Sequence, residues 1–150
     1  VKAGAKVCHV DGAKAMVERA GDNLRLSGMD EGIRYIIDDC FKFCEREKKR
    51  GRKYDAIILD PPSFGRGPNG EKWKIEEGIS ELCELVADLL SDNPLFVCLN
   101  SYTTGLQPTV MANILKLTLP TNAKIEADEI GIATDEGLVL PQGCTAFATF

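Results

Sequence analysis

The stretch YDAIILDPPSFGRGPNGEKWK, residues 54–74, decides the fold. Residues 54–60 form a mostly apolar run of strand length, which predicts a strand buried on both faces of a sheet. Asp60, Pro61 and Pro62 end this run and stiffen the start of the next loop. Proline has a fixed φ and no N–H, and the residue before a proline is held extended. An ordinary strand-to-helix turn does not need this combination, so we predict a functional loop. The alternative is a rigid turn with a buried Phe64.

Strands and helices alternate on both sides of this stretch. The predicted strands are 5–11, 33–39, 54–60, 94–100, 124–133 and 144–150, and the predicted helices are 12–28, 40–50, 75–92 and 107–119. Apolar strands separated by helices predict an α/β fold with a mostly parallel twisted sheet and helices on both faces. No helix separates the last two strands, which predicts an antiparallel pair at the sheet edge and thus an antiparallel C-terminal strand.

Composition sets the broad class of the chain. The 150 residues suggest one domain, and 44% hydrophobic and 27% charged residues are typical of a globular protein. The net charge of −5 does not indicate a nucleic-acid binder, so any such contact needs a local basic patch. No apolar run reaches the ~18 residues of a membrane span, and residues 1–10 do not resemble a signal peptide. We therefore expect no membrane partner.

The six cysteines lie scattered in apolar segments, which predicts reduced thiols in a cytoplasmic protein. Cys40 and Cys44 lie one helical turn apart and could form half of a metal site. No CxxC motif and no second pair completes that site, so we predict no metal.

Acidic residues stand at the predicted strand ends, where open α/β sheets bind their ligands. Asp11 could accept hydrogen bonds from both hydroxyls of a ribose, or it could cap the next helix. Asp39 stands before Cys40 and Phe41. Its carboxylate and a free backbone N–H could recognise the amino edge of an adenine, although a helix N-cap is the favoured interpretation of this residue alone.

The loop after residues 54–60 offers several hydrogen-bond acceptors and few donors. The Asp60 carboxylate and the carbonyls of Asp60 and Pro61 suit a substrate N–H or NH2 group. Phe64 offers a flat face on which a base could stack, a contact of roughly 1–3 kcal/mol.

The motif DPPSF, residues 60–64, resembles the Asp/Asn-Pro-Pro-aromatic motif of class I S-adenosylmethionine-dependent methyltransferases. Four segments in order are similar to the family of 23S rRNA large-subunit methyltransferases that includes the cytosine-5 enzymes: HVDGAK (9–14), DDCFKF (38–43), YDAIILDPPSFGRG (54–67) and NSYTTGL (100–106). The resemblance covers essentially the whole chain. It implies a Rossmann-like class I methyltransferase fold, S-adenosyl-L-methionine as cofactor, and RNA, in particular ribosomal RNA, as partner.

The resemblance also implies roles for individual residues. The cofactor-binding residues would be Asp11 and Gly12 at the ribose, Asp39, Cys40 and Phe41 around the adenine, and Asp60 at the methionine end. The catalytic residues would be Asp60, Pro61, Pro62 and Phe64, which orient and stack the target base. The substrate-binding residues would be Phe64, Arg66, Lys72, Lys74, Ser101, Tyr102 and Thr103, with the basic residues meeting phosphates.

Three glycines in the loop, Gly65, Gly67 and Gly70, would let it move over a bulky substrate. For Trp73 two interpretations stay open. It is either a second stacking surface or an anchor that packs the loop onto the domain.

Two departures from the family pattern matter. The glycine-rich loop after the first strand is absent, and residues 1–7 look like the tail of the first helix, so the first strand is apparently absent. In the family, the first strand lies between the strand that ends at Asp11 and the strand that ends at Asp60. Residues 1–150 are thus expected to be the C-terminal part of a methyltransferase catalytic domain.

The second departure concerns the atom that would be methylated. The cytosine-5 enzymes carry a nucleophilic cysteine where this chain has SYTTG, residues 101–105, and Cys98 lies in an apolar strand. Nitrogen methylation is therefore favoured over cytosine C5, since it needs mainly positioning and hydrogen-bond acceptors. One alternative is a non-catalytic or incomplete Rossmann-like fragment that has lost cofactor binding. A nicotinamide-dependent dehydrogenase is the other, but the chain has no GxGxxG motif. The sequence does not predict an oligomeric state.

Overall fold

The computed structural model describes residues 1–66 and 72–150, so Gly67 and Gly70 lie outside the described residues. It confirms the α/β class and every helix and strand expected from the sequence. The strands are β1 (Val7–Asp11), β2 (Ile33–Ile37), β3 (Ala56–Leu59), β4 (Phe64–Arg66), β5 (Lys72–Lys74), β6 (Phe96–Ser101), β7 (Lys124–Ala133) and β8 (Val139–Thr149). The helices are α1 (Lys14–Leu26), α2 (Cys40–Lys49), α3 (Ile75–Ala87) and α4 (Pro108–Thr118).

The strands form two parallel units and an antiparallel extension. β1 pairs with β2 in parallel. A four-stranded sheet has the order β3-β6-β8-β7, in which β3 and β6 are parallel and the pairs β6–β8 and β7–β8 are antiparallel. The antiparallel C-terminal strand is thus confirmed, with β7 at the edge.

β8 begins at Val139, five residues before the predicted start at 144. The early part of β8 contains Pro141 and Gly143, which are unfavourable inside a regular strand. The pairing with β7 accommodates them through a register shift between Ile130 and Gly131. Residues 139–143 form a strand because they pair with β7 and not because of a local pattern, so the sequence alone did not indicate this longer strand.

No backbone pairing joins β1 to β3 within residues 1–66 and 72–150. A cavity lies between the two strands instead, lined by Cys8 and Val10 on one side and by Ala56 and Ile58 on the other. This gap is where the family resemblance places a further strand, between those ending at Asp11 and Asp60.

The main core lies where α3 and α4 cover one face of the four-stranded sheet. Val97, Leu99 and Ala148 point into it and are almost fully buried, against Ile79 and Leu115 of the helices. This packing makes β3 and β6 a firm base for the loops at their carboxyl ends.

The expectation of helices on both faces holds for β1 and β2. Gly21 of α1 lies against Tyr35, whereas the neighbouring Ile36 packs with Phe43 of α2. On the four-stranded sheet, the row Ile58, Cys98 and Phe147 lies on the face opposite α3 and α4. Ile58 is 66% exposed there, so the described residues leave this face of the sheet uncovered.

A buried ion pair joins β2 and α2 to the segment before β3. The Glu47 side chain is 1% exposed and accepts hydrogen bonds from Arg34 at 2.8 Å and from the Tyr54 hydroxyl at 2.6 Å. Arg50 donates a third at 3.2 Å. Burial by itself raises the pKa of Glu47, but these hydrogen bonds outweigh it and lower that pKa to about 2. The pair helps to fix the distance across the gap between β1 and β3.

None of the helices in the described part of the chain has both the length and the apolar character needed to cross a membrane.

Candidate cofactor and substrate site

The carboxyl ends of β1 and β3 and the start of α2 open into one cavity of about 550 Å³. This is the edge of the sheet at which the sequence predicted a ligand site. The cavity wall includes these predicted residues: Asp11, Gly12, Asp39, Cys40, Phe41, Asp60, Pro61, Pro62 and Arg66. All the residues proposed for the cofactor therefore lie together.

Six predicted substrate residues are not part of this wall: Phe64, Lys72, Lys74, Ser101, Tyr102 and Thr103. They lie on the β4–β5 hairpin and on the loop after β6. The arrangement thus has an inner pocket and an outer rim.

Asp11 ends β1 with one carboxylate oxygen already used. Its Oδ1 accepts a hydrogen bond from the Ala13 amide at 2.7 Å. The N-cap of α1 is Ala13 and no side chain caps this helix, so Asp11 is not the N-cap that the alternative proposed. The second carboxylate oxygen remains for a ligand hydroxyl.

Asp39 is the N-cap of α2, as the interpretation of this residue alone favoured. Its Oδ1 accepts a hydrogen bond from the Lys42 amide at 3.0 Å. The first helical turn leaves the amides of Cys40 and Phe41 without intrahelical partners. The start of α2 therefore presents backbone donors and the Phe41 ring to the cavity, which fits the edge and the face of an adenine.

Two loops meet at Asp60. Tyr102 lies on the loop after β6, and the nearby charge of the Asp60 carboxylate raises the pKa of its phenol. Asp60 itself is exposed at the cavity wall. One carboxylate thus faces both the cofactor pocket and the substrate rim.

Three hydrogen bonds hold the loop after β3. The Trp73 indole donates to the Pro62 carbonyl at 2.6 Å, the Ile75 amide donates to the Ser63 carbonyl at 3.1 Å, and the Thr103 hydroxyl donates to the Ser63 hydroxyl at 2.6 Å. Side chains from β5 and the β6 loop thus limit the motion of this loop, in addition to its two prolines.

The β4–β5 hairpin has two different faces. Phe64 lies opposite Lys74 and Arg66 lies opposite Lys72, so these four side chains share one face. Gly65 and Trp73 form the other face, where the ring packs against both core clusters. Trp73 is therefore an anchor, the second of the two interpretations left open, and the outer face combines one aromatic ring with three cations.

Three of the predicted substrate residues have internal partners: Ser101, Lys74 and Thr103, whose hydroxyl hydrogen-bonds to Ser63. Ser101 is 2% exposed, and its hydroxyl accepts a hydrogen bond from the Thr103 amide at 3.1 Å, so it positions the loop backbone. Lys74 forms an ion pair with Glu77 at 2.6 Å. Arg66 and Lys72 are also exposed on the outer face of the hairpin.

Gly143 of β8 has a role that the sequence analysis missed. Its φ of +111° suits glycine, and a Cβ there would lie 2.4 Å from the Ser101 carbonyl oxygen. β8 therefore approaches the loop after β6 closely only because residue 143 is glycine. The glycine after proline in PQG is a turn signal in the sequence, but nothing local connects it to Ser101.

Two cysteines at the cavity, Cys40 and Cys44, are protonated thiols at neutral pH. Burial raises the pKa of Cys40 to about 11 and that of Cys44 to about 12. Cys144, which pairs with Ser101 across β6 and β8, also has a raised pKa because of burial. None of these three side chains is an activated nucleophile. Among the described residues, no group of three or more His, Cys, Asp or Glu side chains could hold a metal ion.

Curated proteins with similar sequences are rRNA methyltransferases. The ribosomal RNA large subunit methyltransferase I of Erwinia tasmaniensis is 30% identical over 112 residues, which cover 72% of this chain and 28% of that protein. The protein of the same name from Aeromonas salmonicida is 38% identical over 66 residues, 43% of this chain and 17% of that protein. The 23S rRNA (uracil(1939)-C(5))-methyltransferase RlmD of Neisseria lactamica is 34% identical over 64 residues, which cover 43% of this chain and 14% of that protein. The chain spans less than a third of the length of these relatives.

Solved structures with the same fold include methyltransferases. A SAM-dependent methyltransferase from Agrobacterium tumefaciens has a TM-score of 0.91 and 31% identity, and the match covers 99% of this chain and 50% of that one. SMU.776, solved in complex with SAH, has a TM-score of 0.75 at 18% identity, with 94% of this chain and 38% of that chain covered. No family model matches the chain. By sequence and by fold, the chain belongs to the class I S-adenosylmethionine-dependent methyltransferase-like family.

Proposed function

We propose that residues 1–150 are the C-terminal part of the catalytic domain of an S-adenosylmethionine-dependent methyltransferase that acts on a base of ribosomal RNA. The observation that carries the proposal is the shared cavity of about 550 Å³ at the ends of β1 and β3. Its size is within the range of small-molecule sites, roughly 300–1,000 Å³. Its polar groups are those that a nucleoside needs.

The residues at this cavity fit S-adenosylmethionine. Asp11 keeps one carboxylate oxygen for a ribose hydroxyl, and Gly12 lines the wall beside it. The amides of Cys40 and Phe41 can donate to an adenine nitrogen, and the Phe41 ring can pack on its face. Bound S-adenosylmethionine would supply an electrophilic methyl group at the Asp60 end.

The role proposed for Asp60 is to accept a hydrogen bond from the target amine and to hold its lone pair toward that methyl group. Pro61 and Pro62 keep the loop in place, and the Trp73 and Thr103 hydrogen bonds limit its motion. Catalysis of this kind depends on orientation, for which a rigid acceptor is needed before the substrate arrives.

An RNA substrate is supported by the outer face of the β4–β5 hairpin. Phe64 is 53% exposed, and Arg66 lies directly opposite Lys72 on the same face. Like charges across a strand pair repel each other, so an anion between them relieves the repulsion. Phosphates would meet these two cations, and a base taken out of its stack would lie on Phe64.

Nitrogen methylation is favoured over C5 methylation because residues 101–105 contain no cysteine and the Cys40 and Cys44 thiols at the cavity are protonated. Cys40 and Cys44 have pKa values of about 11 and 12, whereas C5 chemistry needs a thiolate that adds to the ring. The relative from Neisseria lactamica is named as a uracil C5 enzyme, so the methylated atom is the part of the proposal that most needs a test.

The second candidate is an incomplete Rossmann-like fragment that does not bind the cofactor. The observation in its favour is the gap between β1 and β3, which no described strand fills. The cavity that would hold the cofactor continues into this gap, so a mobile wall there would weaken binding.

Methyl transfer to rRNA tests the proposed function. The chain would be incubated with S-adenosylmethionine labelled in the methyl group and with 23S or 16S rRNA, and labelled nucleosides would be identified by mass spectrometry. We expect label on an exocyclic amine of 23S rRNA. Absence of label from both RNAs would contradict the proposal, and label at C5 with a covalent RNA adduct would overturn nitrogen methylation.

The RNA surface has its own control. Replacing Arg66 and Lys72 by alanine should weaken rRNA binding and reduce its salt dependence. Lys116→Ala, on the last turn of α4, removes an exposed cation elsewhere. This variant should change neither rRNA binding nor its salt dependence. Equal effects of the two changes would exclude the hairpin as the RNA surface.

A further inference from the structure

The Trp73 side chain contacts both the substrate loop and the cofactor side of the cavity. Its indole Nε1 lies 2.6 Å from the Pro62 carbonyl oxygen. Its ring lies 5.8 Å from the Phe41 ring, centre to centre, at an angle of 55°. Phe41 is in the first turn of α2, next to the amides proposed to bind adenine. One rigid side chain therefore spans the space between the two halves of the site.

Gly78 makes room for this ring, and Gly65 lies beside it. A Cβ on Gly78, inside α3, would lie 2.4 Å from the Trp73 Cζ3 atom, and a Cβ on Gly65 would lie 3.6 Å from its Cδ1 atom. Glycine inside a helix costs roughly 0.5–1 kcal/mol relative to alanine. The Trp73 ring explains why α3 has glycine at position 78, since any larger residue would push the ring away from α3.

The position of the ring also determines the position of the loop. Ser63, next to Pro62, accepts a hydrogen bond from the Ile75 amide at 3.1 Å, directly after β5. A shift of Trp73 would move β5 and the loop together. Movement of Phe41 when adenine packs against it would press on the other side of the same ring.

We propose that Trp73 is a positioning residue that couples occupancy of the adenine pocket to the geometry of the Asp60–Phe64 loop. The inference rests on the proposed function, because it needs a cofactor next to Phe41. It also predicts the order of binding: the cofactor binds first and steadies the loop that receives the base. Trp73 does not touch substrate in this account, and it acts through Pro62.

The test separates cofactor binding from its effect on the loop. The chain is titrated with S-adenosylhomocysteine, and the heat of binding is recorded together with hydrogen exchange at the Ile75 amide. In the wild-type chain we expect binding heat and exchange of the Ile75 amide slowed about fivefold, the gain from steadying one ordinary hydrogen bond. In Trp73→Phe, which keeps a ring but loses the donor, the heat should remain and the slowing should disappear.

A second variant and a ligand-free measurement guard against a folding artefact. Gly78→Ala keeps the indole but displaces it, and it should lose the slowing as well. Trp73 is the one tryptophan of the sequence, so its emission reports on this site alone. Phe41→Leu should change that emission without ligand. Phe96→Leu, which removes a ring stacked on Phe147 in the sheet, should leave it unchanged.

The outcomes separate failure of the coupling from failure of the proposed function. Equal slowing in the wild type and in Trp73→Phe would reduce Trp73 to a space-filling residue. Binding heat without any slowing in the wild type would overturn the coupling and leave the proposed function intact. Absence of binding heat would overturn both.

Discussion

The Thr103 hydroxyl donates a hydrogen bond of 2.6 Å to the Ser63 hydroxyl and so joins the loops after β6 and β3. Ser63 stands between the prolines and Phe64, and Thr103 stands next to Tyr102, whose pKa is raised by the charge of Asp60. The Ser63–Thr103 hydrogen bond thus joins the two loops close to Asp60.

Thr103→Val should therefore lower methyl transfer with little change in cofactor affinity. The change removes the hydroxyl and keeps the volume, and loss of one ordinary hydrogen bond corresponds to roughly threefold to tenfold in rate. Steady-state kinetics on rRNA and calorimetry with S-adenosylhomocysteine measure the two quantities. Thr104→Val, at the exposed neighbouring position, is the matched control, and equal losses in both variants would exclude the Ser63 contact as the cause.

Asp60→Ala should abolish methyl transfer, by about 10²-fold or more, with little effect on cofactor binding. The carboxylate is proposed to orient the target amine, whereas the ribose and adenine contacts belong to other residues. Spectroscopic titration of the tyrosines should also show a fall in the pKa of Tyr102, because the charge that raises it is gone. Parallel loss of cofactor binding and activity would remove Asp60 from the catalytic role.

Phe64→Leu should impair substrate use more than Phe64→Tyr does. Both variants keep an apolar side chain, but only tyrosine keeps a face for stacking, a contact of roughly 1–3 kcal/mol per base. The difference should be in the KM for rRNA, by about fivefold or more. Indistinguishable kinetics in the two variants would mean that Phe64 does not stack on the base.

Much of the site can be predicted from the sequence because strand ends are local features. Asp11, Asp39 and Asp60 each close a predicted strand, and the parallel arrangement brings Asp11 and Asp60 to one cavity. The N-cap role of Asp39 is local as well, since its partner is three residues away. The resemblance to known methyltransferases added the roles, which the residues alone left open.

The features that were missed depend on contacts distant in sequence. The segments FGR and KWK of β4 and β5 are three residues long and lack the apolar alternation of a strand, and the pair depends on Trp73 packing on Gly78. Glu47 lies in the charged run 45–50, which is typical of a solvated helix end. Its burial requires Arg34 and Tyr54, on other elements.

The buried Glu47 should make stability depend on pH in the acid range. Its pKa in the folded chain is about 2, below the ordinary value of 4.5, so its contribution is full above pH 4.5 and is lost as the pH falls toward 2. The full contribution is about 3 kcal/mol, of which about 2 kcal/mol is lost at pH 3.

Urea unfolding of the wild type and of Glu47→Gln measures this effect. The stability difference between them should shrink by about 2 kcal/mol between pH 7 and pH 3. Glu45→Gln, at an exposed position of the same helix, should show no such change. A difference that stays constant across this range would mean that the carboxylate is not held by Arg34 and Tyr54.

The central claim is that the cavity at the ends of β1 and β3 binds S-adenosylmethionine. Calorimetric titration of the chain with S-adenosylmethionine and, separately, with NADH tests it most directly. The account predicts micromolar binding of S-adenosylmethionine and no binding of NADH. Binding of neither ligand would contradict the account and favour the incomplete Rossmann-like fragment, and binding of NADH alone would favour a dehydrogenase.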